Sequence, residues 1–229
     1  MEQGIVSFKE PVTIVGGAYV SKEVIQRSHS LSSKFIGVDG GGNTLLDGGY
    51  LPELILGDMD SFDSKACNIP KALPIHQIPD QESTDFEKCL RAVHAPIYVG
   101  LGFIGERLDH SLAALSVLAR YREKKRILIG EDDVVFVVPP HFQLDTEVGT
   151  RVSLFPLGDT RLASNGLVWP THELNFSPLG QIGTSNKSTG PIELRPESSK
   201  MLCFLPVDYA GAVLAALERT VAWPPVSAD

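Results

Sequence analysis

The stretch GDMDSFD, residues 57–63, carries Asp58, Asp60 and Asp63 and follows the apolar run LPELIL. Carboxylates crowded at the end of a buried strand repel one another and lose hydration. A divalent cation makes such an arrangement favourable. Asp58 and Asp60 are two residues apart, so in extended backbone their side chains point the same way. Mg²⁺ takes one or two carboxylates together with waters and phosphate oxygens. The pattern therefore suits metal-assisted phosphate chemistry. A plain solvated acidic loop is the alternative reading of these residues alone.

Three further segments carry reactive types at strand ends. FIGVDGGGN closes on Asp39, Gly40, Gly41, Gly42 and Asn43. Its glycines permit positive φ and a close approach of backbone N–H groups to phosphate, or simply a tight turn. DQESTDFEK (80–88) starts at Asp80 and leads into a helix. There Thr84 and Glu87 have capping-box spacing, and Asp85 and Lys88 share one helical face. That face can be an exposed ion pair, or a third metal carboxylate beside a phosphate-binding ammonium at a helix N-terminus. YVGLGFIGERLDH (98–110) runs through a glycine loop to Arg107, Asp109 and His110. Asp109 also fits a helix N-cap, and His110 a packed or exposed histidine.

The elements that must position these residues alternate. Apolar, β-prone runs occur at 12–17, 35–40, 53–58, 96–100, 126–130 and 134–139. Helical patterns fall between them at 21–30, 84–93 and 108–125, the last with an apolar Leu108/Leu112/Leu115 stripe. This alternation implies βαβ units, and near-continuous apolar strands imply a mostly parallel sheet covered on both faces. Ligands in such sheets bind beyond the carboxyl ends of the strands, where the quoted motifs lie. From 141 to about 206 no helical period is evident, and short β-prone pieces alternate with Gly, Pro, Ser and Asn. DYAGAVLAALERTVAW (208–223) returns to helical spacing.

The totals exclude several classes. The formal charge of −8 and pI near 5.2 argue against a nucleic-acid binder. The basic run REKKR (122–126) is expected to end a helix, where cations suit the dipole. No apolar run reaches the roughly 20 residues that span a bilayer. MEQGIVSFKE lacks the regions of a signal peptide. Cys67, Cys89 and Cys203 fit neither a disulfide framework nor a zinc site, so reduced thiols in a cytoplasmic protein are expected.

Taken together, the motifs DGGGN, GDMDS, DQESTDFEK and GFIGERLDH, in this order, resemble those of the thiamine pyrophosphokinase (thiamine diphosphokinase) family. Gly42 stands where that family usually has Ala, and the resemblance spans most of residues 12–206. It implies a Rossmann-like α/β catalytic domain over residues 1–139 and a β-sandwich thiamine-binding domain over 140–207, with 208–229 left as a helical tail. It implies a homodimer with active sites at the subunit interface. It implies transfer of pyrophosphate from ATP to the hydroxyl of thiamine. By motif position, Asp58, Asp60 and Asp85 would hold Mg²⁺. Asp39, Gly40, Gly41, Asn43, Asp80, Thr84, Lys88 and Arg107 would line the nucleotide and phosphate site, with Asp109 and His110 supporting it. Asp80, Lys88, Arg107, Asp109 and His110 form the catalytic set. Ser185, Asn186 and Trp169 would contact thiamine. A diphosphokinase for another heterocyclic alcohol would show the same phosphate motifs with a different pocket in 165–190. A non-catalytic thiamine or nucleotide sensor would not need the full carboxylate set.

Overall fold

The computed structural model describes residues 6–63, 69–80 and 82–225. The chain forms two compact units, Met1–Val117 with Leu128–Glu131, and Leu118–Ile127 with Asp132–Asp229. Elements of the first half are β1 (Val6–Ser7), β2 (Val12–Val15), α1 (Lys22–Leu31), β3 (Phe35–Val38), α2 (Gly41–Asp47), β4 (Leu54–Gly57), β5 (Ile75–Gln77), α3 (Asp85–Ala92), β6 (Val93–His94), β7 (Tyr98–Leu101), α4 (Leu108–Arg120) and β8 (Arg126–Ile129).

In the first unit the strands run β7-β2-β3-β4-β5, every neighbouring pair parallel. Strands β2, β3, β4 and β7 are buried along their whole length, as the unbroken apolar runs required. The chain moves from β2 outward to β3, β4 and β5, then returns to place β7 on the other side of β2. The order thus reverses between β2 and β7, which makes a crevice at their carboxyl ends.

One helix was read as a loop in the sequence. The triple glycine opens α2 instead of a free turn. The reason is packing: a Cβ on Gly41 would lie 1.8 Å from the Val15 carbonyl oxygen. Only glycine lets the start of α2 rest on the end of β2. Helix α3 is capped as its spacing suggested, with the Glu87 N–H donating to Thr84 Oγ1. Helix α4 ends at Arg120, short of the expected 125.

The second unit holds β9 (Asp133–Val137), β10 (Phe142–Leu144), β11 (Arg151–Pro156), β12 (Thr160–Leu167), β13 (Asn175–Phe176), β14 (Gly183–Pro196), β15 (Met201–Pro206) and α5 (Ala210–Arg219). Its pairings are antiparallel throughout. Long β14 pairs with β11 through its first residues and with β10 and β12 through its last. Over the whole chain the pairing is therefore mixed. Strand β9, expected among the parallel strands, pairs antiparallel with β15, a pairing that needs no helical crossover between the two strands.

The tail packs within this second unit. The Arg122 guanidinium donates to the Pro224 and Pro225 carbonyls, Lys125 to the Glu218 carbonyl, and the Trp223 indole N–H to the Val138 carbonyl. Arg126, buried, donates to the carbonyls of Leu118, Tyr121 and Lys124. The basic run thus serves main-chain carbonyls beyond the end of α4 as well as the helix itself. No helix among the described residues is long and apolar enough to cross a membrane. Cys89 and Cys203 are free and buried, and Cys67 lies outside the described residues.

Gly41→Ala is expected to destabilise the fold by at least about 2 kcal/mol, because backbone of β2 must shift. An unexposed clash reverses the usual small benefit of Gly→Ala in a helix. Urea unfolding midpoints of the two proteins check this, and an unchanged or higher midpoint for the variant contradicts it.

Candidate active site

A cavity of about 440 Å³ opens at the carboxyl ends of the parallel strands. One wall comes from Gly16, Gly17 and Ala18 after β2 and from Gly102 and Phe103 after β7. A Cβ on Gly16 would lie 2.7 Å from both the Gly102 carbonyl oxygen and the Phe103 ring, so glycine lets the two loops touch. Phe103 also packs on Phe86, with ring centroids 4.5 Å apart. The opposite wall carries Asp39, Asp58, Thr84, Asp85 and Lys88, and the rim includes Arg107 and His110.

Lys88 is the centre of the charged wall. Its ammonium is buried and donates to Asp58 Oδ2 and to Asp85 Oδ1, each at 2.9 Å. The Lys88 hydrogen bond holds the Asp58 carboxyl below its ordinary value. Burial opposes charge on Lys88, but its bonds to the two carboxylates outweigh this and raise it. Asp85 is raised, first by desolvation and further by the like charges of Asp58 and Asp39, against the pull of the ammonium. The same ammonium therefore favours the anion at Asp58 more than at Asp85, where burial and like charge oppose it.

Carboxylate oxygens of Asp39, Asp58 and Asp85 lie within 4.8 Å of one another. Asp39 therefore joins the cluster in the position expected of Asp60. The reason is local. Met59 has φ +70°, so the backbone between Asp58 and Asp60 is not extended and the two side chains do not share a face. Asp60 is exposed, and its N–H donates to Asp58 Oδ1. Asp39 itself has φ +48° and is buried, with Oδ1 accepting from the Ser61 N–H.

Asn43, Gly41 and Asp80 act on the loop or helix ends and do not line the cavity, whereas Gly40, Arg107 and His110 do. Asn43 donates to the Ser61 carbonyl and accepts from the Asp63 N–H, bracing the acidic loop. Gly40 lines the cavity, whereas Gly41 is buried against β2. Asp80 is outside the lining and accepts from the Glu82 N–H, the Ser83 hydroxyl and Arg91. The Ser83 hydrogen bond leads in keeping its pKa low. Arg107 and Asp109 form a two-point ion pair at 2.6 and 3.2 Å in the open, which lowers Asp109 and raises Arg107. His110 is exposed at the rim.

Residues missed by sequence reasoning include Gly16, Gly17, Phe103 and Ser111. The Ser111 hydroxyl accepts from the Gly105 N–H and donates to the Arg107 carbonyl, tying the glycine loop to α4. The paired glycines in VTIVGG were the available signal for the first two.

In the second unit, Trp169 follows β12 with 57% of its surface exposed. Asn186 is buried and bonded to the Trp169 main chain, and Ser185 is exposed with φ +64°.

Residues 25–129 match the family model for the thiamin pyrophosphokinase catalytic domain. The chain is 27% identical over 183 residues to thiamine pyrophosphokinase 1 of Oryza sativa subsp. japonica, covering 65% of this chain and 69% of that protein. It is 29% identical over 157 residues to thiamine pyrophosphokinase 1 of Arabidopsis thaliana, covering 60% of this chain and 58% of the other, less than two thirds of its length. The chain is thus similar to thiamine pyrophosphokinases, with the catalytic-domain match confined to residues 25–129. Solved structures share the fold: thiamin pyrophosphokinase from Candida albicans superposes with a TM-score of 0.74 over 87% of this chain and 90% of that one, at 17% identity. The Bacillus subtilis thiamine pyrophosphokinase gives 0.69 over 86% and 98%, at 22% identity. The family model spans Asp39, Asp58, Asp85 and Lys88 of this chain.

The sign of the pH dependence follows from Asp58. Its folded pKa is lowered, so its pairing stabilises the fold above the unfolded value of about 3.8 and is lost as the pH falls. Lys88→Met removes the leading cause. Urea midpoints measured from pH 6 to 3 are expected to fall less steeply with acid in the variant than in the wild type. Parallel curves would remove the Lys88–Asp58 assignment.

Proposed function

We propose that the protein transfers pyrophosphate from ATP to the hydroxyl of thiamine, forming thiamine diphosphate and AMP. The observation that carries this reading is the cluster of three carboxylates, two of them bonded to a buried lysine, within the stretch that matches the thiamin pyrophosphokinase catalytic-domain model. In the reaction the thiamine oxygen forms a bond to the β-phosphorus. The bond from that phosphorus to the oxygen bridging to the α-phosphorus breaks, and AMP leaves with the bond electrons. The alcohol proton passes to solvent or to a carboxylate. Such transfer needs positioning and charge neutralisation more than covalent catalysis.

The donor set fits Mg²⁺: hard carboxylate oxygens gathered on one wall of an open cavity. Asp39, Asp58 and Asp85 would hold it, and when bound it supplies positive charge against the triphosphate. Lys88 and Arg107 would stabilise negative charge on the transferred group, Arg107 through the guanidinium N–H groups that its pairing with Asp109 leaves over. Gly16, Gly17 and Gly102 leave room for the nucleotide beside backbone. Asp80 and Asp109 act in this reading by ordering Ser83 and Arg107. Trp169 would offer its exposed indole to the cationic heteroaromatic acceptor, with the exposed Ser185 adjacent in sequence to Asn186, which bonds the Trp169 main chain.

The parallel unit is read as Rossmann-like and the antiparallel unit as a sandwich. A homodimer with active sites at the interface accompanies the proposal. Leu108 and Leu112, one turn apart on α4 and 71% and 57% exposed, support it, since neighbouring exposed apolar side chains favour cover by another chain. A cytoplasmic location fits the free buried thiols of Cys89 and Cys203.

Chromatography of products from ATP, Mg²⁺ and thiamine tests the function. Thiamine-dependent AMP and thiamine diphosphate are expected. Asp58→Ala and Asp85→Ala are each expected to lower turnover about 10³-fold with a folded circular-dichroism spectrum. Near-normal turnover in either removes the metal assignment. ATP binding without thiamine-dependent AMP points to another acceptor.

A further inference from the structure

The amide of Asn186 is committed to main chain. Its Oδ1 accepts from the Trp169 N–H at 3.2 Å and from the Lys187 N–H at 2.8 Å, and its Nδ2 donates to the Trp169 carbonyl at 2.8 Å. Two N–H donors on one side and a carbonyl on the other leave a single amide orientation consistent with all three bonds. The side chain is 6% exposed, whereas the indole it holds is 57% exposed.

The surrounding backbone is arranged for this contact. Thr184 and Ser185 are both exposed and Asn186 is buried, so the alternation of β14 is broken at that point. Ser185 has φ +64°, unusual for a residue with a Cβ, and the β11–β14 register shifts beside it. The break turns Asn186 inward toward Trp169. On the far side of Trp169, Thr171 is buried and donates to the Leu162 carbonyl, and before it the Val168 N–H donates to the Lys187 carbonyl. The indole therefore projects from a segment fastened on both flanks.

We propose that Asn186 is a positioning residue: it holds the Trp169 main chain so that the indole face is presented to the acceptor, and it makes no contact with the acceptor itself. The inference rests on the reading of Trp169 given under the proposed function. It assigns the Ser-Asn pair two different tasks, since Ser185 is exposed and Asn186 is not.

The test uses the full chain in a Trp223→Phe background, which leaves Trp169 as the only tryptophan of the two in the sequence. Asn186→Ala is expected to increase acrylamide quenching and lower the fluorescence anisotropy of Trp169. It is expected to raise the KM for thiamine about tenfold, the factor for roughly one lost buried hydrogen-bond pair, with kcat within about twofold. Asn186→Asp keeps both acceptor bonds but sets an oxygen against the Trp169 carbonyl, so it is expected to raise quenching and KM at least as much as alanine does. It also serves if the alanine variant does not fold. In a Trp169→Ala background, Asn186→Ala is expected to add less than about twofold. Unchanged quenching, or a full tenfold effect in the absence of the indole, overturns the proposal. If the wild type makes no thiamine-dependent AMP, the functional reading fails, and the fluorescence arm alone still decides whether Asn186 holds Trp169.

Discussion

A single buried ammonium organises the charged half of the first unit. Lys88 comes from α3, Asp58 from the end of β4, and Asp85 from the first turn of α3 itself. Removing such a cation leaves desolvated carboxylates facing one another, which is far worse than losing one exposed ion pair. The bond to Asp58 thus sets where the helix meets the strand. The helix N-terminus, with Thr84 as cap, then lies on the cavity wall, where its free N–H groups favour anions. Parallel strands supply the crevice, and the lysine determines which side of it is polar.

Backbone strain falls at two residues of this charged region and at one of the second unit. The described non-glycine residues with positive φ are Asp39, Met59 and Ser185. The first carries a carboxylate of the cluster. The second divides Asp58 from Asp60. The third precedes Asn186. Each would cost on the order of 1–3 kcal/mol in isolation and persists because neighbouring bonds over-determine it. For Asp39 those bonds are the Ser61 N–H on its side chain and the Leu56 carbonyl on its N–H.

Much of this was legible in the sequence. Unbroken apolar runs marked the parallel strands, and T-x-x-E spacing marked the start of α3. Spacing also placed Asp85 and Lys88 on one face, as found. The errors share one cause. Periodicity describes regular backbone, and the site departs from it. Asp60 was placed with Asp58 by strand alternation, which Met59 breaks. The glycine triple was read as a loop because composition does not show that Gly41 must touch the Val15 carbonyl. The closeness of Asp39 to Asp58 was not visible, because nineteen positions of sequence conceal that β3 and β4 are neighbours. The β9 strand carried no mark of its antiparallel partner, since pairing direction depends on where the chain turns.

The acidic loop after β4 has a further meaning through its fastenings. Asn43 holds it by the Ser61 carbonyl and Asp63 N–H, Gln77 by the Asp58 carbonyl, and Asp39 by the Ser61 N–H. Those holds come from the helix, strand end and edge strand around it, and none depends on a bound molecule. The chain entropy of shaping the loop is therefore spent during folding. Residues 58–63 are thus already shaped by bonds within the chain, and a ligand meeting them there would owe less of its affinity to ordering them.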